Sequence, residues 1–222
     1  MWPSMKTECY PVVEIFDSIE GEGKRTGYMA VFVRFAGCNL RCSYCDTGYA
    51  QKLSDAAEYL TLEQLLGRIH QYPWKRVTLT GGEPMLQDLE PLCRELGLEG
   101  YEVNIETNGA VDLFQERPWN LFYTMDVKSP SSGERAAMHM ANLDLLTAQD
   151  VIKFVVGTEE DLQDMLQVVR AYRGPAQLYL SPVFGQMEPA RLVDFVREHA
   201  LEHVCVQVQL HKVIWDPEAR GV

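Results

Sequence analysis

Val31-Phe-Val-Arg-Phe-Ala-Gly-Cys-Asn-Leu-Arg-Cys-Ser-Tyr-Cys-Asp-Thr47 is a short apolar run that breaks into a loop carrying three cysteines. The run 31–35 mixes β-branched and aromatic residues without strict polar alternation, the pattern of a strand buried on both faces. Further runs of this kind lie at 77–80, 103–106, 121–127, 152–156, 178–181 and 204–208. Amphipathic stretches fall between them. Residues 60–71 place Leu62, Leu65, Leu66 and Ile69 on one helical stripe, and residues 159–172 do the same with Leu162, Met165, Leu166, Val168 and Val169. The stretch 189–200 opens on Pro189, suited to a first helical turn, and carries Leu192, Phe195 and Val196. Strands alternating with helices at this spacing imply an α/β fold with a parallel sheet and right-handed crossovers. About six βα units suit an open doubly wound sheet or a partial barrel. Either gathers its site at the carboxyl ends of the strands, where the cysteine loop begins.

The 222 residues fit a single domain, and no long linker or internal repeat divides them. With 32 acidic against 20 basic residues the net charge is −12, which argues against broad binding to nucleic acid, whose phosphates reward a basic surface. No stretch approaches the ~20 apolar residues that cross a bilayer. Residues 1–13 show no basic region followed by an apolar run, so no secretory signal is expected and the protein reads as cytoplasmic.

Three of the six cysteines, Cys38, Cys42 and Cys45, crowd together as Cys-x3-Cys-x2-Cys. Crowding of this kind in a cytoplasmic protein favours metal ligation over disulfides. The scattered Cys9, Cys93 and Cys205 read as small buried apolar residues. Three thiolates on a short loop can hold one face of a 4Fe–4S cubane and leave its fourth iron open, whereas electron carriers use four cysteines per cluster. A structural zinc site is the alternative; it needs a fourth ligand, for which His70 or His139 would have to approach in space.

Cys-x3-Cys-x2-Cys after the first strand, with Thr80-Gly-Gly-Glu-Pro84 at the end of the second, resembles the radical S-adenosylmethionine (SAM) superfamily. On its own Gly-Gly-Glu-Pro is an ordinary turn. The resemblance extends to the 7-carboxy-7-deazaguanine synthase family through Phe16-Asp-Ser-Ile-Glu-Gly-Glu-Gly23, Arg34-Phe-Ala-Gly-Cys-Asn-Leu40, Cys45-Asp-Thr47, Glu106-Thr-Asn-Gly109, Asp126-Val-Lys-Ser-Pro130 and Gln209-Leu-His-Lys212. It covers nearly the whole chain. Glu20 departs from the glutamine more usual in the family, and the tail after His211 runs on further than in shorter members.

The resemblance implies a partial, about six-stranded βα barrel of the radical SAM type. It also implies a ring contraction of 6-carboxy-5,6,7,8-tetrahydropterin to 7-carboxy-7-deazaguanine with loss of ammonia, on the route to queuosine. Residue by residue, it assigns Cys38, Cys42 and Cys45 to a 4Fe–4S cluster and Thr47 to a magnesium ion. Tyr44, Gly81, Gly82, Glu83, Glu106, Asn108, Lys128, Ser129 and Ser181 are expected around SAM. Ile19, Glu20, Gly21, Glu22, Arg34, Thr80 and His211 are expected around the pterin, and Lys212 beside them. Absent the family, Thr47 reads as a turn residue, Arg34 as a charge at a strand edge and His211 as a surface histidine. A flavodoxin or ferredoxin donor and a homodimer are implied as partners. Two rivals share part of the pattern: a radical SAM activase that makes a glycyl radical on a partner protein, and a zinc-stabilised binding module.

Overall fold

The computed structural model describes residues 9–222, so the first eight residues of the signal-peptide reading lie outside the described residues. In chain order the elements are β1 (Tyr10–Ile19), β2 (Met29–Phe35), β3 (Glu58–Leu60), α1 (Leu62–Ile69), β4 (Arg76–Gly81), α2 (Glu90–Leu98) and β5 (Glu102–Thr107). They continue as β6 (Leu121–Val127), β7 (Val151–Val156), α3 (Glu159–Ala171), β8 (Gln177–Pro182), α4 (Pro189–Glu198), β9 (Val204–Val206) and α5 (Leu210–Ile214). All strands join one sheet in the order β3-β1-β2-β4-β5-β6-β7-β8-β9, whose edge strands β3 and β9 do not pair, so the barrel stays open. From β2 to β9 every pairing is parallel.

The seven apolar runs are thus the seven parallel strands, one more than the expected six or so. The two antiparallel additions were not legible as strands: β1 runs against both β2 and β3. Phe16–Ile19, expected to precede the first strand, forms the end of β1, where Phe16 stacks on Phe32 of β2 with ring centroids 5.2 Å apart. Pro11, Glu14 and Asp17 break the apolar run that would have announced this strand.

The central strands alternate more strictly than their composition suggested. Val77, Leu79, Val103, Ile105, Tyr123, Met125, Ile152 and Phe154 join the hydrophobic core with Leu65, Leu92, Leu162 and Phe195 of the helices. The intervening residues include Thr78, Thr80, Asn104, Glu106, Thr124, Asp126 and Lys153, which therefore face the other side of the sheet, the bore of the barrel. Helix starts are fixed locally: Thr61 and Gln64 form a capping box on α1, and Thr158 and Asp161 form one on α3. Between β5 and β6, and between β6 and β7, the crossovers contain no α-helix, only loops and 3-10 turns. Among the described residues no helix is long and apolar enough to cross a membrane.

Candidate active site

A cavity of about 350 Å³ opens at the carboxyl ends of the strands, within the size range of cofactor sites. The cysteine loop forms one wall, with Cys38, Cys42, Tyr44, Cys45 and Thr47 all lining it. The loop is stapled to the segment after β6. Ser43 N donates to Ser132 O at 3.0 Å, Ser43 Oγ to Ser131 O at 2.6 Å, and Arg41 N to Glu134 Oε1 at 2.6 Å. Tyr44 reaches deeper: its hydroxyl sits 2.8 Å from Ser129 Oγ, which itself donates to Val155 O of β7.

Cys38 Sγ accepts from Leu40 N at 3.4 Å and from Asn108 Nδ2 at 3.7 Å. Such N–H···S contacts suit a sulfur that carries charge as an iron ligand. Burial pushes the Cys42 thiol up to about 11, so a metal is what would stabilise its thiolate here. Among the described residues no three His, Cys, Asp or Glu side chains converge closely enough to hold a single metal ion. His70 pairs with Glu99 and His139 with Asp112, and neither lines the cavity. Of the scattered cysteines only Cys93 is buried. Cys9 is half-buried and Cys205 exposed, against the expectation for both.

Gly81 and Gly82 close the turn beneath the loop. A Cβ on Gly82 would stand 2.2 Å from Gly37 O, and one on Gly81 2.2 Å from Phe35 O, with Gly81 at φ +127°. Gly82 is therefore required by the approach of the cysteine-loop backbone and Gly81 by that of β2, and both leave the cavity wall bare.

The opposite wall carries the charge. Glu22, from the loop after β1, meets Lys153 of β7, with Nζ 3.0 Å from Oε2. Lys153 Nζ also lies 3.2 Å from Asp126 Oδ1, in ion-pair range but outside hydrogen-bond geometry, and Lys128 donates to Asp126 Oδ2 at 2.6 Å. Burial alone would raise Asp126, yet the two lysines outweigh it and hold the carboxyl below its usual range. Among the described residues, Glu22 Oε1 is buried without a hydrogen-bond partner. Thr80 donates to Glu106 Oε2 at 2.8 Å. Burial raises the Glu106 carboxyl, partly offset by Lys153. Arg34 Nε donates to Glu14 Oε1 at 2.7 Å, and among the described residues its terminal nitrogens have no hydrogen-bond partner. His211 packs on Gly21, where a Cβ would overlap its Nδ1 at 1.9 Å, and burial lowers its basicity. Lys212 ties the helix α5 to the cysteine loop through Asp46 at 3.0 Å, and residues 217–222 complete the rim.

Residues 32–174 match the radical SAM superfamily. Over 222 aligned residues the chain is 42% identical to the 7-carboxy-7-deazaguanine synthase of Clostridium acetobutylicum, covering 96% of this chain and 99% of that protein. This chain belongs to the 7-carboxy-7-deazaguanine synthase family. The enzyme of that name from Methanospirillum hungatei is 38% identical over 97% of this chain and 89% of its own length. The crystal structure of QueE from Escherichia coli superposes with a TM-score of 0.75 at 25% identity, covering 92% of this chain and 96% of that one.

Against the family expectation, four residues do not line the cavity: Glu20, Glu83, Ser129 and Ser181. Glu20 is turned into the barrel bore, where it accepts from Thr78 Oγ1 and pairs with the buried Arg25 at 3.1 Å. Glu83 is fully buried and accepts from Met85 N, Thr107 Oγ1 and Asn108 N. Ser129 is spent on Tyr44 and Val155. Ser181 Oγ is buried without a hydrogen bond among the described residues. Conversely, Asp126 and Lys153 line the cavity but were not singled out. Their signal was present: a charge inside an otherwise apolar strand is costly unless paired, and each stands alone in its run.

Proposed function

We propose that this family member is a 7-carboxy-7-deazaguanine synthase that contracts the ring of 6-carboxy-5,6,7,8-tetrahydropterin with loss of ammonia, formally a carbon–nitrogen lyase. The observation that carries the reading is one cavity that joins the three-cysteine loop to a buried, partnerless carboxylate oxygen of Glu22 and the unpaired end of Arg34. An aminopyrimidinone ring presents N–H donors, which Glu22 Oε1 would accept. A carboxylate matches the planar fork of Arg34. Thr80 and His211 would border the ring, and Ile19 and Gly21 its edge.

Cys38, Cys42 and Cys45 would hold the cluster, with Gly82, Glu106, Asn108 and Lys128 around SAM; together these groups supply a hydrogen-abstracting carbon radical when bound. The chain's own task is placement. Tyr44 and Ser129 fix the cysteine loop against β7, Asn108 steadies Cys38, and Lys212 draws α5 and the tail over the mouth, which limits water. Magnesium would be held at Thr47, a reading supported by its hydroxyl donating to Asp46 Oδ1 at 3.0 Å, since two neighbouring oxygens suit a hard cation that keeps waters. A one-electron donor of the flavodoxin or ferredoxin class, a homodimer and a cytoplasmic setting belong to the same proposal, on the strength of the family alone.

The test is anaerobic turnover of reconstituted protein with SAM, magnesium, a strong reductant and the carboxytetrahydropterin, read by mass spectrometry. A product lighter by one ammonia, absent with Cys42→Ala, is expected. Formation of 5′-deoxyadenosine with the pterin returned unchanged would overturn the substrate assignment and favour an activase.

A further inference from the structure

Lys153 is a buried cation that lines the cavity from the centre of the strand β7. Lysines are seldom buried without a task, since removing the ammonium from water is costly. Its partners are specific. Asp126 stands beside it in register on β6, and Glu22 reaches it from a loop 131 residues away in sequence. Both Glu22 and Lys153 expose only 10% of their side chains.

The loop offers Glu22 little support of its own. Its neighbours are Gly21 and Gly23, which carry no side chains, and both are held by their backbones: Leu210 N donates to Gly21 O at 3.0 Å, and Gln207 grips both sides of Gly23. Among the described residues the Glu22 carboxylate accepts two hydrogen bonds, from Lys153 Nζ at 3.0 Å and Gln209 Nε2 at a long 3.5 Å, both on Oε2. One strong bond therefore decides which oxygen is consumed and which, Oε1, is left buried without a hydrogen-bond partner among the described residues. Asp126 sits between the two lysines, with Oδ2 taken by Lys128 at 2.6 Å and Oδ1 ion-paired with Lys153 at 3.2 Å.

We propose that Lys153 is a positioning residue for substrate selection: by engaging Glu22 Oε2 and bracing it against Asp126, it presents Oε1 as a single fixed acceptor for one N–H of the pterin's aminopyrimidinone edge. The inference rests on the assignment of a pterin substrate above. It places substrate affinity, and not cluster or SAM binding, under the control of Lys153.

The test measures binding of 6-carboxypterin, an oxidised and unreactive analogue, by equilibrium ultrafiltration of the cluster-loaded protein with SAM present. Lys153→Met is expected to weaken the analogue about tenfold or more, the loss of one charge-assisted hydrogen bond. Iron content and SAM affinity stay at the parent's values, and in turnover the KM for the pterin rises by more than kcat falls. Lys153→Arg restores part of the affinity. Glu22→Gln weakens binding by itself, and adding Lys153→Met to it costs no more than about twofold further, because coupled residues are not additive. If Lys153→Met does not fold, Lys153→Gln carries the same measurement. Parent-like affinity in the variant, or an equal further loss in the Glu22→Gln background, overturns the inference. Failure of the parent to bind the analogue while it binds SAM would instead sink the pterin reading and this inference with it.

Discussion

Glu83, expected at SAM, is a structural knot, and its removal should be costly. Its carboxylate lies at 0% exposure between the turn after β4 and the end of β5. Oε1 accepts from Met85 N at 2.9 Å and Thr107 Oγ1 at 2.8 Å, while Oε2 accepts from Asn108 N at 2.7 Å. Glu83→Ala strands two buried amides and a hydroxyl. Each amide left bare costs about 1–3 kcal/mol, so the pair alone costs roughly 2–6 kcal/mol. For a chain of this size 1 kcal/mol moves Tm by about 2–4 °C, giving a fall on the order of 5–20 °C. Glu83→Gln keeps one acceptor oxygen but sets an amide nitrogen against Asn108 N–H, so it should fall between alanine and parent. Thermal unfolding of anaerobic, cluster-loaded protein measures both, and SAM titration beside it separates stability from contact. An alanine variant that melts within about 2 °C of the parent, a shift too small for even one bare amide, would refute the buried-acceptor argument. Weakened SAM binding in a glutamine variant of parental Tm would return Glu83 to the cofactor.

Thr47→Ala should raise the magnesium concentration needed for half-maximal turnover and leave iron content unchanged; a magnesium response identical to the parent's would remove Thr47 from the metal site. Gly82→Ala must push its methyl against backbone at Gly37 and Ala50, so a loss of about 1–3 kcal/mol by chemical denaturation, with poorer iron retention, is expected. Glu20 gives a pH signature. Burial, opposed by Arg25 and Thr78, pushes its carboxyl up to about 7 from 4.5. Between these values the folded chain keeps a proton that the unfolded chain has released, so stability is lost as pH rises from 4.5 towards 7. Glu20→Gln should flatten that fall in urea unfolding series, even though its absolute stability drops because Arg25 loses its partner. An unchanged slope would show that Glu20 does not titrate in this window.

The sequence showed most clearly what is local. Cys38, Cys42 and Cys45 lie within eight residues, and the seven parallel strands each bear an apolar run, so both were readable without knowing what packs on what. The helices α1, α3 and α4 were legible for the same reason, their stripes and caps being periodic over one or three turns. The antiparallel β1 was not, since its polar residues find partners only through pairing: Glu14 with Arg34, and Asp17 with Trp74 Nε1. Side-chain direction was equally hidden. Glu20 and Glu22 share a motif two residues apart, yet one faces Arg25 in the bore and the other faces the cavity.

That divergence explains how the family motif works in this chain. Glu20 and Arg25 anchor the loop from below, Gln207 and Leu210 grip its backbone from the side, and Lys153 fixes the motif's cavity-lining carboxylate, Glu22. The cysteine loop is fastened by another set, through Tyr44, Ser43 and Arg41 to the segment after β6. The two functional loops thus hang by different side chains, although Tyr44 and Ser129 also reach β7 at Val155 O, and Lys212 with the tail reaches across from one side to the other. A change on the substrate side should therefore alter pterin affinity while the cluster persists, and a change at residues 129–134 should do the reverse. This separability follows from the hydrogen-bond pattern, and the paired binding and iron measurements on the Lys153 variants probe it from the substrate side.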